Sequence, residues 1–220
     1  RARRLLPDED PSAAAESALL CLDRGDLEGA TQHIDAASIR GEGAIVSYVR
    51  GNIAANQGHL KAALSYFDEA VDSDPTHVRA RLNRTSIHMA SGNAQGALDD
   101  ANVLLELAPG LALAKIRRAE ANMLLSNWED AKSDLEQIVT DAPHHHHALT
   151  QLAACFISME RPEKAEGPLN EALRLAPEHT AAWHQRGLLY LDWGREEAAL
   201  NDFEAAVRCD GNNLDARLHI

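Results

Sequence analysis

The sequence predicts an all-α chain, a solenoid of stacked helix-turn-helix hairpins, on three observations. Alanine recurs at a 34-residue interval at Ala63, Ala97, Ala131, Ala165 and Ala199. Proline keeps the same interval at Pro75, Pro109, Pro143 and Pro177. Between these marks the apolar residues follow the helical period of about 3.6 rather than the alternation of a strand. An interval of this length signals a repeat array, in which each unit buries its apolar face against its neighbours instead of in one central core.

With the proline set at position 32, units begin at Pro11, Ala44, Val78, Ala112, His146 and Thr180. This gives an N-terminal tail at 1–10, repeats near 11–43, 44–77, 78–111, 112–145, 146–179 and 180–213, and a partial seventh at 214–220. The first is one residue short, and the rest keep strict register. Each unit divides into two apolar stretches of helical period, parted by glycine or a small polar residue and closed by proline or glycine. In the third, a first helix over 78–91 ends at Gly92-Asn93, and a second over 94–107 ends at Ala108-Pro109-Gly110, since proline cannot continue a helix. In the fifth, Pro162 stands where a helix can begin. Pro168 falls inside the expected second helix, where it predicts a bend or a late start.

Comparing units position by position predicts their packing. Position 20 is alanine in all six, from Ala30 to Ala199. Position 8 is small throughout: Ala18, Gly51, Thr85, Ala119, Ala153 and Gly187. Position 24 is mostly large: Ile34, Phe67, Ala101, Leu135, Leu169 and Phe203. Small residues on both helices let the backbones approach, and the large one fills the space that remains. Arginine at position 7 and aspartate at position 23 come and go together. The expected ion pairs are Arg84–Asp100, Arg118–Asp134 and Arg186–Asp202, while Arg50 faces Tyr66.

The last complete unit carries Trp183, Gly187, Tyr190, Ala199, Phe203 and Ala206 at offsets 0, 4, 7, 16, 20 and 23. This pattern resembles the tetratricopeptide repeat, departing from it at Arg186, where leucine is usual, and Gly211, where proline is usual. The resemblance covers residues 11–220. It implies a right-handed superhelix whose concave groove is lined by the first helices through positions 2, 5, 6, 9, 12 and 13. Residues at those positions are the candidate partner contacts: Tyr48, Asn52, Arg79, Asn83, Ser86, Arg117, Glu120 and Gln151, accompanied by Leu113, Met89, Met123, Ile157, Gln185 and Leu188. Amides would hydrogen-bond an extended peptide and the apolar groups would take its side chains. Family members that bind the C-terminal tails of chaperones use a two-carboxylate clamp, of which Asn52, Asn83 and Arg117 match three positions. Both lysine positions are lost, to Tyr48 and Leu113.

Composition narrows the function classes. The net charge of −13 argues against nucleic-acid binding, which needs a basic footprint. No run of about 18 apolar residues or secretory signal is visible, so no membrane span is expected in this segment. The chain begins at Arg1 rather than methionine and ends within a repeat, which reads as a piece of a longer protein with a solvated RARR end. Cys21, Cys155 and Cys209 are far apart and read as buried reduced thiols, favouring a reducing compartment such as the cytoplasm and compatible also with a periplasmic one.

Catalytic motifs are missing: the chain has no phosphate-binding glycine loop, nucleophile elbow or metalloprotease signature. No cofactor is expected. The run His144–His147 reads as an exposed polar turn with adventitious metal affinity, because four consecutive side chains cannot close a tetrahedral site. No metal site is assigned. The reading is a non-catalytic scaffold that binds a partner protein or peptide in its groove, a chaperone tail being one candidate. The alternatives are a self-assembling array, which would associate through its ends, and the adaptor segment of a larger enzyme.

Overall fold

The computed structural model describes residues 11–38, 43–211 and 214–219; the RARR end lies outside them. Among the described residues the chain is helical, in antiparallel pairs. These are α1 (Pro11–Asp23) with α2 (Leu27–Ser38), α3 (Ala44–Asn56) with α4 (Leu60–Ser73), α5 (Val78–Ala90) with α6 (Ala94–Leu107) and α7 (Ala112–Leu124) with α8 (Trp128–Asp141). They continue with α9 (His146–Ser158) and α10 (Glu166–Leu175), α11 (Thr180–Asp192) and α12 (Glu196–Cys209), and a single turn, α13 (Leu214–Arg217). The chain divides into two compact units, residues 1–117 and 118–220, with the boundary inside α7. The first unit's core includes Ile34, Val46, Phe67 and Ile87. The second unit's includes Leu149, Leu169, Leu173 and Leu189.

Helix ends are set by local chemistry. The turn after each first helix holds a residue at positive φ: Gly25, Gly58, Gly92, Ser126, Glu160 and Gly194. That left-handed residue closes the helix and reverses the chain, and glycine enters it without steric cost. Ser126 and Glu160 do so against the usual preference, and Glu160 is not the small residue expected there. Asn93 Oδ1 then accepts from Gly96 N at 3.0 Å, capping α6. In the fifth pair Pro162 opens a 3-10 turn, Pro162–Lys164, and α10 starts only at Glu166. The late start places Pro168 in the first turn, where its missing N–H would have had no helical partner. Of the two outcomes expected at Pro168, a bend or a late start, the chain takes the late start.

The small and large positions meet as expected. Ala30, Ala63, Ala97, Ala131, Ala165 and Ala199 are all buried, as are all six position-24 residues. The two positions carrying phenylalanine, Phe67 and Phe203, are opposed by glycine. A Cβ on Gly51 would lie 2.5 Å from the Phe67 ring and one on Gly187 2.7 Å from the Phe203 ring. Where position 24 is leucine, isoleucine or alanine, position 8 holds alanine or threonine, so the pair conserves volume. Only Cys155 of the three thiols is fully buried; Cys21 is half-buried and Cys209, the last residue of α12, is exposed.

Candidate functional site

The arginine–aspartate pairs are present and bidentate. Arg84 donates to Asp100 from Nε at 2.7 Å and Nη2 at 2.5 Å. Arg118 donates to Asp134 at 2.8 and 2.6 Å, and Arg186 to Asp202 at 2.8 Å twice. The Arg50 guanidinium lies 5.8 Å from the centre of the Tyr66 ring. Two of these arginines use a third donor that the pairing rule did not contain: Arg84 Nη1 reaches Asp68 at 2.8 Å and Arg186 Nη1 reaches Asn170 at 2.6 Å. Both acceptors lie 16 residues upstream, at position 25 of the preceding pair, so each arginine ties its own hairpin to the one before. The hydrogen bonds to Asp100 and Asp202 hold Arg84 and Arg186 above the ordinary guanidinium pKa. These arginines are structural clasps.

The first-helix face in the first unit differs from the expected row of free contacts. Tyr48 is 7% exposed, with its ring 6.2 Å from Phe67 and 4.9 Å from His77, so it is core rather than an exposed groove anchor. It is drawn in because His77, which caps α5 through Nδ1, places its ring against it. Asn52 and Asn83 bond each other, Asn83 Nδ2 donating to Asn52 Oδ1 at 2.6 Å. Ser86 turns its hydroxyl back to Leu82 O at 3.3 Å. Arg79 is exposed and Arg117 half-buried.

The second unit repeats the Asn52–Asn83 link with other residues. Gln151 Nε2 donates to Glu120 Oε1 at 3.4 Å, again from position 6 of one pair to position 9 of the pair before. One pair further on the link fails. Position 6 is Gln185 and position 9 is Ala154, which offers no polar atom. Gln185 Oε1 is buried without a hydrogen-bond partner. There, between α9 and α11, a cleft of about 630 Å³ opens, lined by Ala154, Ile157, Gln185, Leu188, Leu189 and Asp192 among others. Ile157 and Leu188 remain 37% and 38% exposed at its edge.

Three tetratricopeptide-repeat family profiles match the chain, over residues 48–112, 123–186 and 180–213. The chain is a tetratricopeptide-repeat protein. Solved structures of the same fold include MamA from residue 41 onward from Desulfovibrio magneticus RS-1, with a TM-score of 0.72 at 19% identity over 79% of this chain and 98% of that one. YrrB, described as a tetratricopeptide-repeat protein with an unusual peptide-binding site, gives 0.67 at 18% over 84% and 95%. TTC0263 from Thermus thermophilus gives 0.63 at 22% over 80% and 95%. A search of curated proteins gives no match in sequence. Such identities speak for the fold alone, and this fold and family are generally those of non-catalytic interaction scaffolds.

Within the tetratricopeptide-repeat frame, the candidate contacts divide between the units: Tyr48, Asn52, Arg79, Asn83, Ser86 and Arg117 in the first, Glu120 and Gln151 in the second. The α9–α11 cleft, with its unlinked glutamine, is the feature that position-by-position reading missed. The signal was Ala154 at a position held by Asn52 and Glu120 elsewhere. No helix among the described residues is long and apolar enough to cross a membrane.

Proposed function

We propose that this chain is a non-catalytic scaffold that holds an apolar segment of a partner protein in the cleft between α9 and α11. The observation that carries this is the buried Oε1 of Gln185, an acceptor without a partner, beside the exposed Ile157 and Leu188. A buried acceptor left unmade costs about 1–3 kcal/mol, which a donor from a bound segment recovers. Ile157 and Leu188 supply the apolar anchors, and burying them supplies affinity. YrrB shares the fold and is described as having a peptide-binding site, which makes peptide capture a use of this architecture. On the first-helix faces, Arg79, Asn83, Ser86 and Arg117 in one unit and Glu120 and Gln151 in the other add polar contacts that set register. A chaperone tail is not part of the proposal, because the two lysine positions of the carboxylate clamp hold buried Tyr48 and apolar Leu113.

Selection of peptides from a displayed random library on the immobilised chain tests the proposal. Selected peptides should carry apolar residues and lose binding to Leu188→Asp and Ile157→Asp, with Gln185→Ala weakening it several-fold. Binding that survives Leu188→Asp removes the cleft from the reading. Combining Asn83→Ala with Arg117→Ala tests the first unit's face in the same assay.

A further inference from the structure

Two residues of the histidine run, His146 and His147, do not face away from everything else in the fold. They open α9, and the residue immediately before α11, His179, comes to meet them. Ring centres are 4.4 Å apart for His146–His147, 5.0 Å for His146–His179 and 4.6 Å for His147–His179. One ligand nitrogen from each of the three lies within 4.8 Å of the others. We propose that His146, His147 and His179 form a binding site for a borderline divalent transition-metal cation, Zn²⁺ foremost.

Geometry makes the first case. Even an equilateral triangle of that side has its centre about 2.8 Å from each corner, so modest ring rotations bring three nitrogens to the roughly 2.0–2.1 Å of a zinc–imidazole bond. The steric objection to four consecutive ligands does not apply, because the third ligand, His179, comes from the far end of the same repeat, just before α11.

The roles of the neighbouring histidines make the second. His77 and His145 stand at the same repeat position as His179, and each uses Nδ1 to accept from the helix that follows: Ala80 N at 3.1 Å for His77 and Ala148 N at 3.1 Å for His145. His179 makes no such cap, and its Nε2 is buried without a hydrogen-bond partner. Its ring is therefore uncommitted where its counterparts are structural.

The donor set selects the cation. Three imidazoles and no carboxylate in the triad suit zinc and its neighbours, whereas calcium and magnesium need oxygen ligands. The fourth position remains open to solvent, since His147 is exposed. A bound ion would staple the starts of α9 and α11.

Calorimetric titration of the full, untagged chain with Zn²⁺ alone tests the site. One equivalent should bind and raise the melting temperature, and Ca²⁺ should not compete. His179→Gln, His146→Ala and His147→Ala should each weaken binding at least ~10-fold with helicity unchanged, while His144→Ala leaves it as it is. On zinc addition, the imidazole ¹⁵N signals of His179 should shift along with those of His146 and His147. An unmoved His179 signal, binding indifferent to His179→Gln, or equal loss on His144→Ala would reduce the affinity to that of an exposed histidine tract and overturn the assignment.

Discussion

Asp100 shows how much a single side chain is asked to hold. It is 3% exposed and accepts from Arg84 twice and from Arg81 Nη1 at 3.2 Å. Asp134 accepts from Arg118, whose side chain is 32% exposed against 16% for Arg84. Removing a carboxylate leaves its arginine charged, and the cost grows with how far that charge is from water. Asp100→Ala should therefore destabilise its hairpin by about 3 kcal/mol. Asp134→Ala should cost nearer ~1 kcal/mol, as expected for a more solvated pair. Amide hydrogen exchange in α5 and α6, compared with α7 and α8, measures the two, and equal losses would contradict the ranking. Cys155 offers a second residue-scale test. Burial pushes its thiol up to about 11 from an ordinary 9.0. Between those values the unfolded chain gives up its proton first, so stability should fall as pH rises from about 9 to about 11. Urea titrations of the parent and Cys155→Ala across that window should diverge, the variant declining less.

At the scale of the hairpin, glycine opposite phenylalanine is a matched pair. Gly187→Ala should cost about 1–3 kcal/mol through the clash with Phe203, and Phe203→Leu should recover part of that loss in the double variant. Additive losses would mean that the two side chains do not share the space. The turn residues point the other way. Glu160 occupies a left-handed conformation that four of the six equivalent turns give to glycine, and Glu160→Gly should raise stability by about 1 kcal/mol in thermal melts. These elements were legible in the sequence because the 34-residue register repeats them: small residues at positions 8 and 20 in all six units, arginine against aspartate in three. What occurs once was not. Tyr48 stands at a groove position but is enclosed by His77 and Phe67, and the cleft depends on one alanine, Ala154, where the three preceding repeats carry Asn52, Ser86 and Glu120. His179 meets His146 and His147 from 33 and 32 residues away, beyond the reach of any local motif.

Across the whole molecule, a repeat chain has no reason to unfold as one object. Stability in such arrays is a sum of unit terms and nearest-neighbour terms, so a local loss need not be shared by distant repeats. The sequence supplies a convenient reporter. All three tryptophans, Trp128, Trp183 and Trp193, belong to the second unit, whereas α1 to α6 belong to the first. Tryptophan fluorescence therefore follows one unit while far-ultraviolet circular dichroism follows both. Asp100→Ala, which acts in the first unit, should move the dichroism transition to lower urea and leave the fluorescence midpoint nearly in place, separating two curves that a two-state protein would keep coincident. Gly187→Ala, acting in the second unit, should move the fluorescence midpoint directly. If Asp100→Ala displaces both probes by the same amount, the two units share a single cooperative transition, and the cost to each hairpin becomes a cost to the entire chain.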